Sequence, residues 1–350
     1  MDQPVPQRPE GAVDLSLVCP FFNEAGILRS AMRRLLAHLQ SRTDRWELIL
    51  VNDGSTDGSF EIAKEFAREA PGLRVLGYPH NRGRGFALRT GIAAARGRVV
   101  ITTEIDLSWG ERVISELAAA MDAWPEADIV VASPHLPTGG YRNVPLTPIL
   151  LSRIGNRIIR ASLPNSPTMC TGMTRAYRLE ALRSLPLAEN GKEFHLEVIL
   201  KATALGMRIR EIPAVLEWPS GVDGGGRGGR DRPRHQGRLI VSHSLFSLLA
   251  DPVRYVWGLG LAAFLLSIAG FAWALTGFSP REDVALVVMA SLGMLMLSLV
   301  LFVSGIVVRQ GTMLLREAWT IQSALLRRKS TGPSPDGSGG LADRVPGDEV

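Results

Sequence analysis

The chain has 350 residues, of which 46% are hydrophobic, and it carries a formal net charge of +5 with only two cysteines. This length suffices for one sizeable α/β domain with additional segments, and two cysteines exclude a disulfide framework and a four-cysteine zinc site. Many arginines flank two long apolar runs in the last third of the chain, so the positive charge indicates a membrane rather than a nucleic acid as partner.

The first 218 residues alternate between strand-like and helix-like patterns. Buried strands are predicted in LSLVCPFF, WELILVND, LRVLGYP and VVITTEID, with helices between them in ILRSAMRRLLAHLQ, SFEIAKEFAREA and FALRTGIAAAR. This order predicts an α/β fold with a mainly parallel sheet, right-handed crossovers and a ligand crevice at the carboxyl ends of the strands. The segment before the first strand has no apolar stretch typical of a signal peptide, so we expect this domain to lie in the cytoplasm.

Two later segments, residues 255–277 and 284–308, contain no charged residue and are long enough to span a bilayer. The connection between them is short, so they would form a hairpin with both outer ends on one side of the membrane. Arginines flank those ends, and by the positive-inside rule they predict a multi-pass protein of the inner (plasma) membrane with the α/β domain and both termini in the cytoplasm. Association of several copies through this hairpin into a homo-oligomer is also compatible with the sequence.

The sequence therefore predicts a series of consecutive segments. They are a disordered N-terminus (1–12), the α/β domain (13–218), a flexible loop rich in glycine and arginine (219–236), an interfacial helix (237–254), the transmembrane helices (255–277 and 284–308), a cytoplasmic juxtamembrane helix (309–329) and a disordered tail (330–350).

Polar residues follow three of the predicted strands. The first strand contains Pro20 and is followed by Glu24, the second ends in Asp53, and the fourth leads into Glu104 and Asp106. Acidic strand ends around one crevice repel each other unless they bind sugar or base donors and a divalent cation. A nucleotide diphosphate with its metal ion meets that requirement.

A basic, glycine-rich segment, HNRGRG, lies between the second and fourth of these strands at residues 80–85. Glycines let backbone amides approach an anion, and arginines add positive charge. Each of these motifs alone could be an ordinary turn, basic loop or helix cap. Their order on consecutive strands is much more specific.

The order of PFFNE, VNDGSTD, HNRGRGFALRTGIAAARG and an acid-x-acid pair resembles the family 2 glycosyltransferases with a GT-A fold, over about residues 13–218. More narrowly, DIVVASPHLPTGGYR, LLSRIGNRIIR, CTGMTRAYRLEAL and GKEFHLEVILKATALGMRIREIPAVLEW resemble the polyprenyl-phosphate sugar synthases, the branch typified by dolichyl-phosphate mannose synthase. The resemblance implies an inverting, metal-dependent transfer of a sugar from a UDP- or GDP-sugar to a polyprenyl phosphate of the undecaprenyl or dolichyl type. Such a reaction would serve envelope glycan or glycoprotein assembly.

The resemblance also implies roles for residues on the donor side. By motif position, Pro20, Glu24 and Asp53 would line the base and ribose pocket, while Asn81 and Arg84 would lie near the diphosphate.

Metal and acceptor residues follow in the same way. Glu104 and Asp106 correspond to the family's DxD motif, so Asp106 would bind Mg²⁺ or Mn²⁺, and Glu104 would bind ribose or the metal. A polyprenyl phosphate is largely deprotonated at cytosolic pH, since its second pKa is about 6, so it needs a cation rather than a strong base. Arg153 and Arg157, four residues apart on one helical face, could supply that cation, with Arg160 as a third.

Departures from the family pattern leave two alternatives open. Family members commonly show Gly-Ser-Arg-Tyr where this chain reads ASPH at residues 132–135, so an expected acceptor arginine is absent, and His135 or Arg142 could substitute for it. One alternative is transfer to a hydroxyl acceptor, which requires a base such as Glu193 or Glu197. The other is a membrane-bound scaffold that binds nucleotide sugars without turnover.

Overall fold

The computed structural model describes residues 12–163, 166–218, 252–275 and 281–331. Its strands are β1 (Leu15–Phe21), β2 (Trp46–Asp53), β3 (Leu73–Tyr78), β4 (Val99–Thr102), β5 (Ile129–Ser133), β6 (Gly140–Arg142), β7 (Arg175–Arg178), β8 (Ile209–Pro213) and β9 (Val215–Glu217). Its helices are α1 (Ala25–Gln40), α2 (Ser59–Glu69), α3 (Arg84–Ala94), α4 (Arg112–Ala123), α5 (Leu146–Ser162), α6 (Leu179–Arg183), α7 (Phe194–Ala204), α8 (Pro252–Leu275) and α9 (Arg281–Thr331).

The α/β domain is built on a seven-stranded sheet with the strand order β3-β2-β1-β4-β7-β5-β8. All of its strand pairs are parallel except those made by β7, which runs antiparallel to both β4 and β5. Every residue of β1 is buried, as continuous apolar sequence requires of a central strand covered by helices on both faces. The predicted α/β fold with a mainly parallel sheet is confirmed.

The carboxyl ends of β1 to β4 meet at one edge of this sheet, and hydrogen bonds tie the turns there together. The amide of Asn23 donates to Oγ of Ser55 (3.0 Å), and the amide of Thr56 donates to Oδ1 of Asn23 (2.8 Å). The amide of Glu24 donates to Oγ of Ser59 (2.8 Å). The turn after β1 and the turn after β2 therefore form one connected rim.

Helices α8 and α9 pack against each other as an antiparallel hairpin. Trp257 stacks on Phe302 with ring centroids 5.8 Å apart, and Oγ of Ser267 donates to the carbonyl oxygen of Ser291 (2.7 Å). Pro252–Leu275 and Val284–Arg328 are both long and apolar enough to cross a membrane. Most of their large apolar side chains are exposed, unlike those of a core helix, which indicates membrane association.

Helix α9 is continuous, so the predicted second span and the predicted juxtamembrane helix belong to one element. Beyond the hairpin it returns to the α/β domain, where it contacts α6 and where Nζ of Lys201 lies 5.4 Å from the ring centroid of Trp319. The predicted glycine- and arginine-rich loop, most of the predicted interfacial helix, residues 1–11 and residues 332–350 lie outside the described residues.

Candidate active site

Asp53 organises the basic loop at residues 80–85. It is only 4% exposed at the end of β2. The hydroxyl of Tyr78 donates to its Oδ1 (2.7 Å), as does the amide of Arg82 (2.8 Å), and Nδ2 of Asn81 donates to its Oδ2 (3.0 Å). The amide of Gly83 lies 3.2 Å from both oxygens. Protein groups thus occupy both carboxylate oxygens, and Asp53 fixes the shape of the loop; its assignment to the base pocket stays a prediction.

Close packing explains a glycine in the neighbouring turn. Gly54 has φ +71°, and a Cβ there would overlap the backbone of His80. The turn after β2 and the basic loop therefore touch through their main chains. Burial raises the pKa of Tyr78, and its hydrogen bond to Asp53 raises that pKa further, so the hydroxyl stays protonated as a donor.

The start of α3 is capped by another segment of the chain. The carbonyl oxygen of Asn190 accepts from the amides of Gly85 (2.7 Å) and Phe86 (3.2 Å). Because these amides and that of Gly83 already have acceptors, the glycines serve close packing rather than the expected backbone cradle for an anion. Among the predicted donor-side residues, Asn81 and Arg84 have exposed side chains at this rim, and Glu24 is half-buried. Pro20 is buried in β1.

The acid pair follows β4 at the same edge. Oε2 of Glu104 accepts from Nε1 of Trp109 (3.0 Å) and from the hydroxyl of Thr174 (3.5 Å). Oδ1 of Asp106 accepts from the amide of Ser108 (3.0 Å). Both carboxylates are half-buried, and the charge of Glu104 contributes, after burial, to raising the pKa of Cys19 in β1.

This donor set fits a divalent ion that shares its ligands with a substrate. Among the described residues, no group of three His, Cys, Asp or Glu side chains could hold a metal ion by itself. Mg²⁺ sites of this kind use one or two carboxylates together with phosphate oxygens and water. Glu104 and Asp106 can supply the protein's share of such a site.

A basic cluster lies near β6 and α5. The hydroxyl of Tyr141 is 3.4 Å from Nε2 of His135. Burial lowers the pKa of His135, and the charges of Arg153 and Arg160 lower it further, with Glu211 partly opposing. The charges of two of the three predicted α5 arginines, Arg153 and Arg160, thus act on the histidine. All three are exposed.

The two-stranded sheet of β6 and β9 connects this cluster to the acid pair. Strand β6, which contains Tyr141, pairs in parallel with β9. The amide of Glu217 in β9 donates to the carbonyl oxygen of Ser108, two residues after Asp106 (2.7 Å). Arg142, the other residue considered as a substitute for the missing arginine, has an exposed side chain in β6.

The remaining candidates are Glu193, directly before helix α7, and Glu197 within it, and Glu197 is fully engaged inside the protein. Glu197 is 7% exposed and accepts hydrogen bonds from the amides of Ala188 (2.9 Å) and Glu189 (3.0 Å). Lys201 forms an ion pair with it (2.7 Å). A carboxylate held in this way acts in positioning and is unsuited to the role of general base. The sequence analysis missed the contribution of Lys201. The spacing of Glu197 and Lys201 on one helical face could have indicated their ion pair, whereas Pro186 and Trp319 become neighbours of Lys201 only in the folded chain.

His195 differs from these groups. Its side chain is buried, and neither ring nitrogen has a hydrogen-bond partner. Burial lowers its pKa well below the usual value, and the charges of Arg175 and Arg84 act in the same direction. The ring is therefore neutral near pH 7.

Comparisons with known proteins agree with the sequence motifs. The sequence model of the family described as "Glycosyl transferase family 2" matches residues 16–185. A dodecaprenyl-phosphate galacturonate synthase of Rhizobium johnstonii is 30% identical over 234 residues, which cover 66% of this chain and 61% of that protein. A dolichyl-phosphate β-glucosyltransferase of Trichomonas vaginalis is 27% identical, with 61% and 68% of the two chains covered. The chain thus spans less than two thirds of the first of these relatives.

Among solved structures, a glucosyl-3-phosphoglycerate synthase from Mycobacterium tuberculosis, in complex with Mn²⁺, UDP and phosphoglyceric acid, is 21% identical. Its TM-score is 0.49, with 69% of this chain and 78% of that chain covered.

Proposed function

We propose that the protein is a membrane-bound, inverting glycosyltransferase that moves a sugar from a UDP- or GDP-sugar to the phosphate of a polyprenyl lipid. The match of residues 16–185 to the model of glycosyl transferase family 2 supports the transferase class. One observation carries the choice of acceptor. A basic cluster of His135, Arg153 and Arg160 is joined through β6 and β9 to the acid pair. The names of three relatives contain dodecaprenyl phosphate, dolichyl phosphate and undecaprenyl phosphate. These names support the same class of acceptor.

On the donor side, Asp106 and Glu104 would hold Mg²⁺ or Mn²⁺ together with the diphosphate of the nucleotide sugar. The ion, when bound, neutralises the charge that develops on the departing nucleotide diphosphate. Glu104 is oriented by Trp109 and Thr174, and Asp106 by the amide of Ser108. Arg84 and Asn81 contact the diphosphate from the exposed rim of the loop that Asp53 shapes.

On the acceptor side, the phosphate attacks without a general base because it is already deprotonated at cytosolic pH. Arg153 and Arg160 bind it and hold it in line with the sugar carbon. His135, neutral because of its lowered pKa, adds a hydrogen bond rather than a charge. Arg157 has an exposed side chain on the same helix and is the third cation proposed for the lipid phosphate.

The membrane arrangement follows from the hairpin. Helix α9 returns to the α/β domain beyond the hairpin, so that domain lies on the same side of the membrane as the outer ends of α8 and α9. Arg309, Arg316, Arg327 and Arg328 follow the apolar part of α9, and the positive-inside rule assigns this side to the cytoplasm. A multi-pass protein of the inner membrane, with the hairpin available for self-association, is the resulting proposal.

The test uses membranes containing the full chain, undecaprenyl phosphate, Mg²⁺ or Mn²⁺, and a panel of labelled UDP- and GDP-sugars. We expect label in the organic phase with one of these donors, dependent on metal. Asp106→Asn should reduce this transfer about a hundredfold or more. The matched control is Asp122→Asn, whose carboxylate pairs with Arg98 at the surface and should leave transfer unchanged. Equal transfer by Asp106→Asn and wild type would refute the assignment of the acid pair.

The acceptor assignment has its own variant. Arg153→Gln combined with Arg160→Gln should raise the KM for undecaprenyl phosphate about tenfold or more, since each change removes a charge-assisted hydrogen bond, with little effect on the donor KM. Arg112→Gln, which removes an almost fully exposed side chain on α4, is the control. Release of nucleotide diphosphate with no organic-phase label from any donor would favour a hydroxyl acceptor, and binding without any turnover would favour the scaffold.

A further inference from the structure

We propose that the part of α9 beyond the membrane positions the donor-binding loop, through a contact path that runs from Trp319 to Lys201, Glu197 and residues 186–191. Trp319, Lys201 and Glu197 are positioning residues in this proposal and contact no substrate. The identification of residues 80–85 as the donor loop rests on the proposed function. The mechanical link itself does not.

The path begins where α9 passes the start of α8. Trp257, near that start, packs against Gly305 and Phe302, so among the described residues α9 extends past the start of α8 from about residue 309. At a rise of 1.5 Å per residue, Trp319 lies about 15 Å further along the helix. There it meets the α/β domain, with Nζ of Lys201 5.4 Å from its ring centroid, a distance at which a cation and an aromatic face attract each other.

Lys201, which contacts Trp319, also contacts Glu197. The two side chains are 10% and 8% exposed and form an ion pair at 2.7 Å. Nζ of Lys201 also donates to the carbonyl oxygen of Pro186. A buried ion pair needs accurate geometry and additional hydrogen bonds to offset the loss of hydration. The carbonyl of Pro186 and the amides held by Glu197 supply those bonds, so both charges are tied to one loop.

The loop at residues 186–191 is therefore fastened from the α7 side. Its amides at Ala188 and Glu189 donate to Glu197. Its carbonyl oxygen at Asn190 accepts from the amides of Gly85 and Phe86, and Arg89 of α3 donates to the side chain of Asn190.

This loop and the start of α3 are closely packed. A Cβ added at Gly85 would lie 2.5 Å from the carbonyl oxygen of Glu189. A displacement of residues 186–191 therefore moves the start of α3, which carries Arg84 at the exposed rim. The donor loop is held on one side by Asp53. On the other side it is held by residues 186–191, which are linked through Glu197 and Lys201 to Trp319 of α9.

The experiment compares Trp319→Leu with Trp319→Phe in the full chain in detergent or membranes. Both changes keep an apolar side chain on α9, but only phenylalanine keeps an aromatic face for Lys201. We expect Trp319→Leu to speed hydrogen exchange of the amides of Gly85, Phe86, Ala188 and Glu189, and Trp319→Phe to stay close to wild type. Glu197→Gln should speed the same amides more strongly. Lys64→Met, which removes another lysine over an aromatic ring, that of Phe60, is the matched control and should change none of them.

The kinetic readout is the KM for the nucleotide sugar. A coupling of this kind typically changes affinity about 2- to 30-fold, so Trp319→Leu should raise the donor KM within that range and leave the KM for the lipid phosphate unchanged. Unaltered exchange in Trp319→Leu would overturn the proposal, even if Glu197→Gln speeds exchange. Faster exchange in a protein that binds no nucleotide sugar at all would uphold the mechanical link and refute the proposed function instead.

Discussion

Replacing His195 by leucine is expected to make the α/β domain less sensitive to acid. The folded protein holds this ring without a hydrogen-bond partner for either nitrogen, and burial keeps its pKa well below the ordinary value. In the unfolded chain the ring takes up a proton below a pKa of about 6.5. Because the folded state binds that proton only at much lower pH, the free energy of unfolding falls as the pH drops through the unfolded value.

The size of the effect follows from linkage. For an unfolded pKa of about 6.5 and a ring that stays neutral when folded, the loss between pH 7.5 and pH 5 is about 2 kcal/mol. Leucine cannot take up a proton, so His195→Leu should lack this part of the pH dependence. At pH 7.5 the variant should be at least as stable as wild type, because no side-chain hydrogen bond is lost.

The assay is thermal unfolding in detergent between pH 5 and pH 7.5. For a domain of about 200 residues, 2 kcal/mol corresponds to roughly 4–8 °C, so the Tm of His195→Leu should fall that much less than the Tm of wild type. His80→Leu, which replaces an exposed histidine, should follow the wild-type curve. If His195→Leu and wild type lose stability in parallel as the pH falls, the conclusion that His195 is buried and neutral in the folded protein is refuted.

Two further predictions concern the core beneath the site. Asp53→Asn replaces an acceptor oxygen by a donor, which would face the groups that donate to Asp53. It should lower the free energy of unfolding, measured in denaturant, by about 2–3 kcal/mol and raise the KM for the nucleotide sugar. Unchanged values of both would contradict this hydrogen-bond network. Gly91→Ala places a Cβ that overlaps Cγ1 of Val18 and lies 3.1 Å from Cγ2 of Val51, and should cost about 1–3 kcal/mol. The cost should be smaller in a Val18→Ala background, and an equal cost in both backgrounds would contradict this packing.

The central sheet could be predicted because its physical signal is local. β1 and β2 are continuous apolar runs, and strands buried on both faces require such runs. β7 has no comparable signal: it is four residues long and includes Arg175, whose fully buried guanidinium donates to the carbonyl oxygens of His195 and Cys170. A short segment with two arginines does not resemble a buried strand, so its antiparallel place between β4 and β5 depends on tertiary contacts alone.

The length of α9 was missed for another reason. Charge and apolarity divide its sequence at Arg309, and this division predicts where the membrane ends. A helix, however, ends where its backbone is interrupted, and residues 301–331 contain no proline. Solvent preference and helix continuity are separate properties of the chain, and the sequence analysis used the first to infer the second.

Burial separates the charges that build the site from those that can meet a ligand. A buried carboxylate needs protein partners for its oxygens, because an unsatisfied one would not be stable there. Asp53 meets this need with a backbone amide 29 residues away, and Glu197 with amides eight and nine residues away. The motif that contains Asp53 cannot reveal its partners. Asp106 and Arg84 lie at the half-buried and exposed rim instead, where water can exchange for diphosphate oxygens. Acidic residues in these motifs thus have two physical roles, and substitution should distinguish them. Changes at the buried acids should first alter stability and the hydrogen exchange of the loop amides. Asp106→Asn should alter turnover while the fold stays intact.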